Sequence, residues 1–236
     1  MITAPAIIFK NVEKSYGALR PLRVRDLEIA SGATTMIVGF DRPAAETFIN
    51  LVTGATLPDV GDVVSLGTPT RDIADGSRWL AFVEQFGIVS DRVVLLDMMT
   101  AAQNLALSFD LDVDPIVPDI MQRVRGLASD AGIGAERLDT RVGEADPLLQ
   151  ARVRLARALA FDPAVLILEH PTATLSAEDT RTYARTIRNI SNTRQIAIVG
   201  LTADRRFAGD TRGRLLVWQP ATGEFRDETR RKFWRL

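Results

Sequence analysis

Cysteine is absent from the 236 residues, which excludes disulfides, thiolate metal centres and cysteine nucleophiles. Lysine occurs only at Lys10, Lys14 and Lys232, and histidine only at His170. Any chemistry that needs an ammonium or an imidazole therefore has few places to find one. Excess charge of one sign is also missing, with 29 Lys+Arg against 30 Asp+Glu. That balance argues against a protein whose main task is gripping nucleic acid. No run approaches the roughly 18 uninterrupted apolar residues of a membrane span. The start, Met1-Ile2-Thr3-Ala4-Pro5, shows no basic region followed by an apolar run, so the expectation is a cytoplasmic chain without a signal peptide.

What is present is enough apolar sequence for a large core: 46% hydrophobic residues beside 25% charged ones. Ile7-Ile8-Phe9, Leu22 to Ile29, Thr34 to Val38 and Asp62 to Leu66 read as strands. A helix is predicted from about Pro43, with Phe48, Leu51 and Val52 on one face and Gly54 at its end. The middle reads as helical over Thr100–Leu107, Ile120–Ala131 and Leu149–Phe161. Val165 to Leu168 is a short apolar strand, followed by a helix from about Ala177 to Ile190 and a strand from Ile196 to Val199. Strands alternating with helices predict an α/β domain with a largely parallel sheet. The helical middle, about 87–160, reads as an insertion within a single domain spanning 1–236.

A buried strand, a glycine turn and a helix form the geometry of a phosphate-binding loop. Here that loop is Gly39-Phe40-Asp41-Arg42-Pro43-Ala44-Ala45-Glu46-Thr47. Around it stand Asn11 to Gly17, Val83-Glu84-Gln85, and Leu155 to Pro163 followed by Leu166-Ile167-Leu168-Glu169-His170-Pro171-Thr172. In these segments and their intervals the chain resembles the nucleotide-binding subunits of ABC transporters along nearly its whole length. The resemblance implies a P-loop NTPase-like fold with an N-terminal antiparallel β subdomain and an inserted helical subdomain. It implies ATP and Mg²⁺ as cofactors, a homodimer or a heterodimer with an intact ATPase, and a membrane permease as partner. The location implied is the inner face of the cell membrane, as a peripheral subunit.

The same resemblance assigns positions. Tyr16 falls where an aromatic ring stacks on adenine, and Gln85 where a glutamine reaches toward metal and water. Thr47, Gln85 and Glu169 are the metal-binding positions, and Glu169 and His170 the catalytic ones. Asp146, Pro147 and Leu148 fall in the family signature, Ser176 on the D-loop aspartate and Ala203 on the switch histidine.

The departures are as informative. The family has glycines at Arg42 and Ala44, lysine at Ala45 and a hydroxyl residue at Glu46; its Walker B aspartate is Glu169 here and its catalytic glutamate His170. Pro43 has no N–H to offer a phosphate. Losing a lysine and gaining a glutamate beside a polyanion is costly: one like-charge pair at 4 Å is worth about 1 kcal/mol in water and about 4 at an effective dielectric of 20. The expectation is weak or absent ATP hydrolysis. If electrostatics alone blocks the site, Ala45→Lys with Glu46→Ser raises Mg-ATP affinity; if loop shape blocks it, affinity stays flat.

Several residues have two readings. Asp41 either fills the phosphate place or is an ordinary helix cap. Glu46 either fills that place or faces solvent. His170 is either a general base or a histidine held in a turn. Glu169 either binds Mg²⁺ or is structural. Gln85 is a site residue or an exposed loop residue, and Tyr16 a base-stacking or a surface aromatic. The function is accordingly a silent transporter cassette, a working ATPase built on Arg42, Glu169 and His170, or a regulatory protein on the same fold. The segment from about Phe86 to Met99, with Val89, Val93, Val94, Leu95, Leu96 and Met98, is unusually apolar and is the expected permease contact together with Ala101–Leu107. The basic-aromatic tail, Phe225 to Leu236, reads as a solvated segment or a lipid or partner contact.

Overall fold

The computed structural model describes residues 4–73 and 75–229. The first strands, β1 (Pro5–Lys14) and β2 (Leu22–Ala30), are followed by β3 (Thr34–Val38), helix α1 (Arg42–Val52), β4 (Val60–Ser65) and β5 (Thr68–Pro69). Then come α2 (Gly76–Val83), β6 (Phe86–Val89), α3 (Ala101–Ala106), α4 (Pro118–Asp130), α5 (Pro147–Ala158) and β7 (Val165–Glu169). The chain continues with α6 (Ala177–Arg194), β8 (Ala197–Thr202), α7 (Arg205–Asp210), β9 (Arg214–Gln219) and β10 (Glu224–Asp227). The tail reading falls largely on 230–236, outside the described residues.

Two sheets result. One is antiparallel, in the order β2-β1-β4-β5. The other runs β10-β9-β3-β8-β7-β6, parallel throughout except for β10. Strand alternation assigns its side chains to two cores. Val165 and Ile167 of β7 join Ile37 and Val199, α1 and the antiparallel sheet in one cluster. Leu166 and Leu168 join Met36 and Ile198, and α3 to α6, in the other. Every residue of β7 is buried, and each apolar side chain so buried contributes roughly 1.5–3 kcal/mol. Gly87 lets α5 approach β6: a Cβ there would lie 2.2 Å from the Ala158 carbonyl oxygen.

The strand β6 corrects one boundary, because residues 87–89 belong to the central sheet and α3, α4 and α5 follow them. Among the described residues no helix is long and apolar enough to cross a membrane. The parallel strands β3, β6, β7 and β8 all end on one edge, the edge where α/β folds place their ligands. Val38, Val89, Glu169 and Thr202 mark it.

Candidate functional site

The edge is built first by the turn from β3 into α1. Gly39 has φ +115°, and a Cβ there would sit 3.0 Å from the Trp218 carbonyl oxygen, so glycine is required twice over. Phe40 then turns inward, buried, and stacks on Trp218 at 4.5 Å with the rings 2° from parallel. Asp41 caps α1: its carboxylate accepts from the Ala44 N–H at 2.9 Å. The Ala45 N–H donates to the Asp41 carbonyl, also at 2.9 Å. Pro43 has no N–H, and the Thr47 hydroxyl donates to the Pro43 carbonyl at 2.8 Å. Two of the N–H groups that would face a phosphate, those of Ala44 and Ala45, are thus engaged by the helix's own first turn. Ala44 and Ala45 are fully buried in the core between the sheets, and Arg42 is drawn to Asp91 at 2.6 Å.

The centre of the edge is held by a residue the sequence reading did not single out. Arg92, in the segment after β6, donates to the Glu169 carboxylate at 2.8 Å and pairs through its other terminal nitrogen with Glu46. Its backbone N–H reaches the Ser90 hydroxyl at 3.2 Å. Glu169 is only 5% exposed, and a buried carboxylate is costly unless paired. Arg92 supplies that pairing. Partial burial opposes the guanidinium charge, but hydrogen bonding and charge from Glu169, with Glu46 adding to them, raise its pKa.

Other assigned positions fall as follows. Tyr16 packs half-exposed on the inter-sheet core; burial raises its phenol pKa and the charge of Asp41 adds to this. His170 follows Glu169 in a left-handed backbone conformation, φ +42°. Its N–H donates to the Leu201 carbonyl at 2.8 Å, and its Nε2 is buried without a partner among the described residues. Ala203 is exposed just beyond β8. Ser176 caps α6, accepting from the Asp179 N–H at 3.1 Å. Asp146 caps α5, accepting from the Leu149 N–H at 2.9 Å, with Pro147 the first residue of the helix and Leu148 half-buried. Arg137 at 2.6 Å and that N–H hold the Asp146 carboxyl below its usual range.

Gln85 is a correction. It precedes β6, where its carbonyl accepts from the Ala164 and Val165 N–H groups at 2.9 and 3.2 Å. Its side chain is therefore a strand's length, about 13 Å, from the edge that Glu169 occupies. Asp91 and Arg92 stand after the correct end of β6. The side chains of Ala44, Ala45 and Phe40 are buried in the core, so only their backbone could face a ligand.

The arrangement leaves ATP with Mg²⁺ few free groups to bind. The Ala44 and Ala45 N–H groups are engaged internally, the Thr47 hydroxyl is bonded to Pro43, and one arginine engages both Glu46 and Glu169. Among the described residues no three His, Asp or Glu side chains cluster as a metal site.

Away from this edge, Val94, Leu96 and Met98 are exposed at 71%, 43% and 78%, while Val89 and Leu95 are buried. Arg154 and Arg157 of α5 hold this segment by donating to the carbonyls of Val93 and Val94 at 3.2 and 2.9 Å. Beside it lies a groove of about 480 Å³ lined by Phe86, Val93, Leu107, Arg154, Arg157 and Phe161.

No family model matches the sequence. The chain is 31% identical over 208 residues to the methionine import ATP-binding protein MetN of Cereibacter sphaeroides, covering 85% of this chain and 57% of that one. It is 26% identical over 217 residues to the sulfate/thiosulfate import ATP-binding protein CysA of Thermosynechococcus vestitus, covering 89% and 60%. The chain spans about three fifths of the length of the sulfate/thiosulfate relatives it matches. In fold it is similar to cbiO1 of Clostridium perfringens, part of the ABC transporter complex cbiONQ, with a TM-score of 0.79 at 19% identity over 98% of this chain and 91% of that one.

Proposed function

We propose, from the premise that this chain is a homologue of the ATP-binding subunits of ABC transporters and has their cassette fold, that it is a catalytically silent transporter cassette. It pairs with a copy of itself or with an intact ATPase and docks a membrane permease as a peripheral subunit on the cytoplasmic face. Its contribution is the framework, one cassette domain with an inserted helical segment, and where it pairs with an intact ATPase that partner's site supplies the energy.

The observation that carries the reading is the Glu46–Arg92–Glu169 bridge. Charge needed to hold a metal and a triphosphate is spent inside the chain. A working ATPase built on Arg42, Glu169 and His170 is disfavoured by the same geometry, because Arg42 and Glu169 already have partners. The exposed Val94, Leu96 and Met98, beside the groove that α5 lines, support docking.

The test is membrane co-purification, with phosphate release measured separately on the isolated protein. The isolated protein is expected to hydrolyse ATP little above buffer, and the protein in its host to fractionate with its permease. Val94→Glu with Met98→Glu is expected to release it from membranes while it stays folded. Turnover at the rate of an intact cassette, lost in His170→Ala, overturns silence; retention of the double variant on membranes overturns docking.

A further inference from the structure

We propose that Arg92 is a built-in latch whose guanidinium takes the place of a metal cation between Glu46 and Glu169, fixing the segment 90–99 in one arrangement whether or not ATP is present. The inference rests on the silent-site reading above.

The argument begins with what the bridge connects. Glu46 lies in the first half of α1, Glu169 ends β7, and Arg92 belongs to the segment leaving β6. Three elements distant in sequence meet on one guanidinium. Beside it, Asp91 reaches Arg42 at the very start of α1. Two adjacent residues of one segment therefore grip the same helix with opposite charges. That pattern fixes both position and direction, because a slip that brought Arg92 toward Arg42 would set like charges together.

The pairs differ in strength. Arg42–Asp91 is largely exposed, and exposed pairs contribute about 0–1 kcal/mol. Arg92–Glu169 ends on a carboxylate that is nearly inaccessible. Removing the cation there leaves a buried charge unpaired, which is far more costly than the pair's net worth. The latch is held by the cost of opening it.

The segment it fixes also carries Val94, Leu96 and Met98 on its exposed side. Arg154 and Arg157 secure its middle through main-chain carbonyls, and the Asn104 side chain accepts from the Leu96 N–H at 2.9 Å. Nearer the site the Arg92 and Val93 N–H groups reach only Ser90 of the same segment, its hydroxyl and its carbonyl, each at 3.2 Å. The ties of this end to α1 and β7 are Arg92 and Asp91. The apolar docking face is thus rigidly joined to the place where a nucleotide would otherwise report its state.

The experiment is amide hydrogen exchange on the full chain, read across 90–99. In the wild type, millimolar Mg-ATP is expected to leave exchange across this segment unchanged. Arg92→Gln is expected to speed exchange at the bonded amides of residue 92 and Val93 by at least about tenfold. Exchange at the Arg92 end that is the same in Arg92→Gln as in the wild type overturns the latch, and so does protection of the wild-type segment by Mg-ATP. Should Arg92→Gln fail to fold, Glu169→Gln, which removes the buried charge itself and so leaves none unpaired, is read by the same criterion. The two readings fail separately. ATP turnover would sink the silent site whatever Arg92 does, whereas unchanged exchange in Arg92→Gln would remove the latch and leave silence standing.

Discussion

Helices α1 and α5 begin in the same way and in different company. Each starts at an aspartate that accepts from the N–H three residues on, Asp41 from Ala44 and Asp146 from Leu149, at 2.9 Å in both. Each has a proline in its first two positions. The resemblance puts a phosphate loop at the first helix start and the family signature at the second, and here both are closed by their own carboxylate. The surroundings then diverge. Asp146 is compensated at the surface by Arg137. The turn that Asp41 caps runs directly into the core, with Ala44 and Ala45 fully buried. The closure of α5 is a charge pair that could be exchanged for another; the closure of α1 is part of the packing.

Three measurements would break or sharpen that contrast. The largest effect is expected from Ala45→Lys, which places an ammonium among Phe9, Phe48 and the other side chains of that core. An unpaired buried charge of this kind costs about 3 kcal/mol, read as a fall in the urea midpoint. Because Asp41 and Pro43 remain, neither this variant nor Ala45→Lys with Glu46→Ser is expected to tighten Mg-ATP in calorimetry. A folded variant with tenfold higher affinity would show that loop shape is no obstacle. Next comes Asp41→Ala, which removes the α1 cap and is expected to cost about 1 kcal/mol in the same assay. No loss would mean that packing alone holds the turn.

The smallest effect is at α5. Asp146→Asn keeps a capping oxygen and removes the charge that Arg137 meets. Because the folded carboxyl titrates below its usual range, its pairing stabilises the fold above the unfolded value near 4. That stabilisation is lost as pH falls through the lower folded value. Half-exposed, the pair is screened, so the wild type should exceed Asp146→Asn by no more than about 0.5 kcal/mol near neutrality. The gap should close on acidification below about pH 4. A gap that persists in acid would assign the difference to geometry.

The sequence made the framework legible where periodicity was strong. The uninterrupted apolar runs of β3, β7 and β8 and the long amphipathic face of α6 read directly as α/β alternation, and the structure has the mainly parallel sheet and the separate antiparallel one. Short elements did not read: β6 is four residues long, and α2, α7, β9 and β10 lack a clear periodic signature. Missing β6 misplaced Gln85, since an interval along the chain cannot tell one end of an unrecognised strand from the other. The departures in the loop were visible residue by residue, and one of the two readings of Asp41, the helix cap, is what the geometry shows. Arg92 gave no signal. Its partners lie 46 residues before it and 77 after it, and only the order β3-β8-β7-β6 brings them together.

The burial of Ala45 also bears on how this chain could change over generations. A lysine is tolerated there only once the first turn of α1 has opened, and opening it means replacing Asp41, Pro43 and the bulk at Arg42 and Ala44. Each of those replacements made singly loosens a cap or a packed turn and returns no phosphate grip. Reversion would have to cross several less stable sequences before any benefit appeared. The side chain missing at position 45 therefore works as a ratchet, turning an individually small loss of charge into a change that single substitutions do not undo.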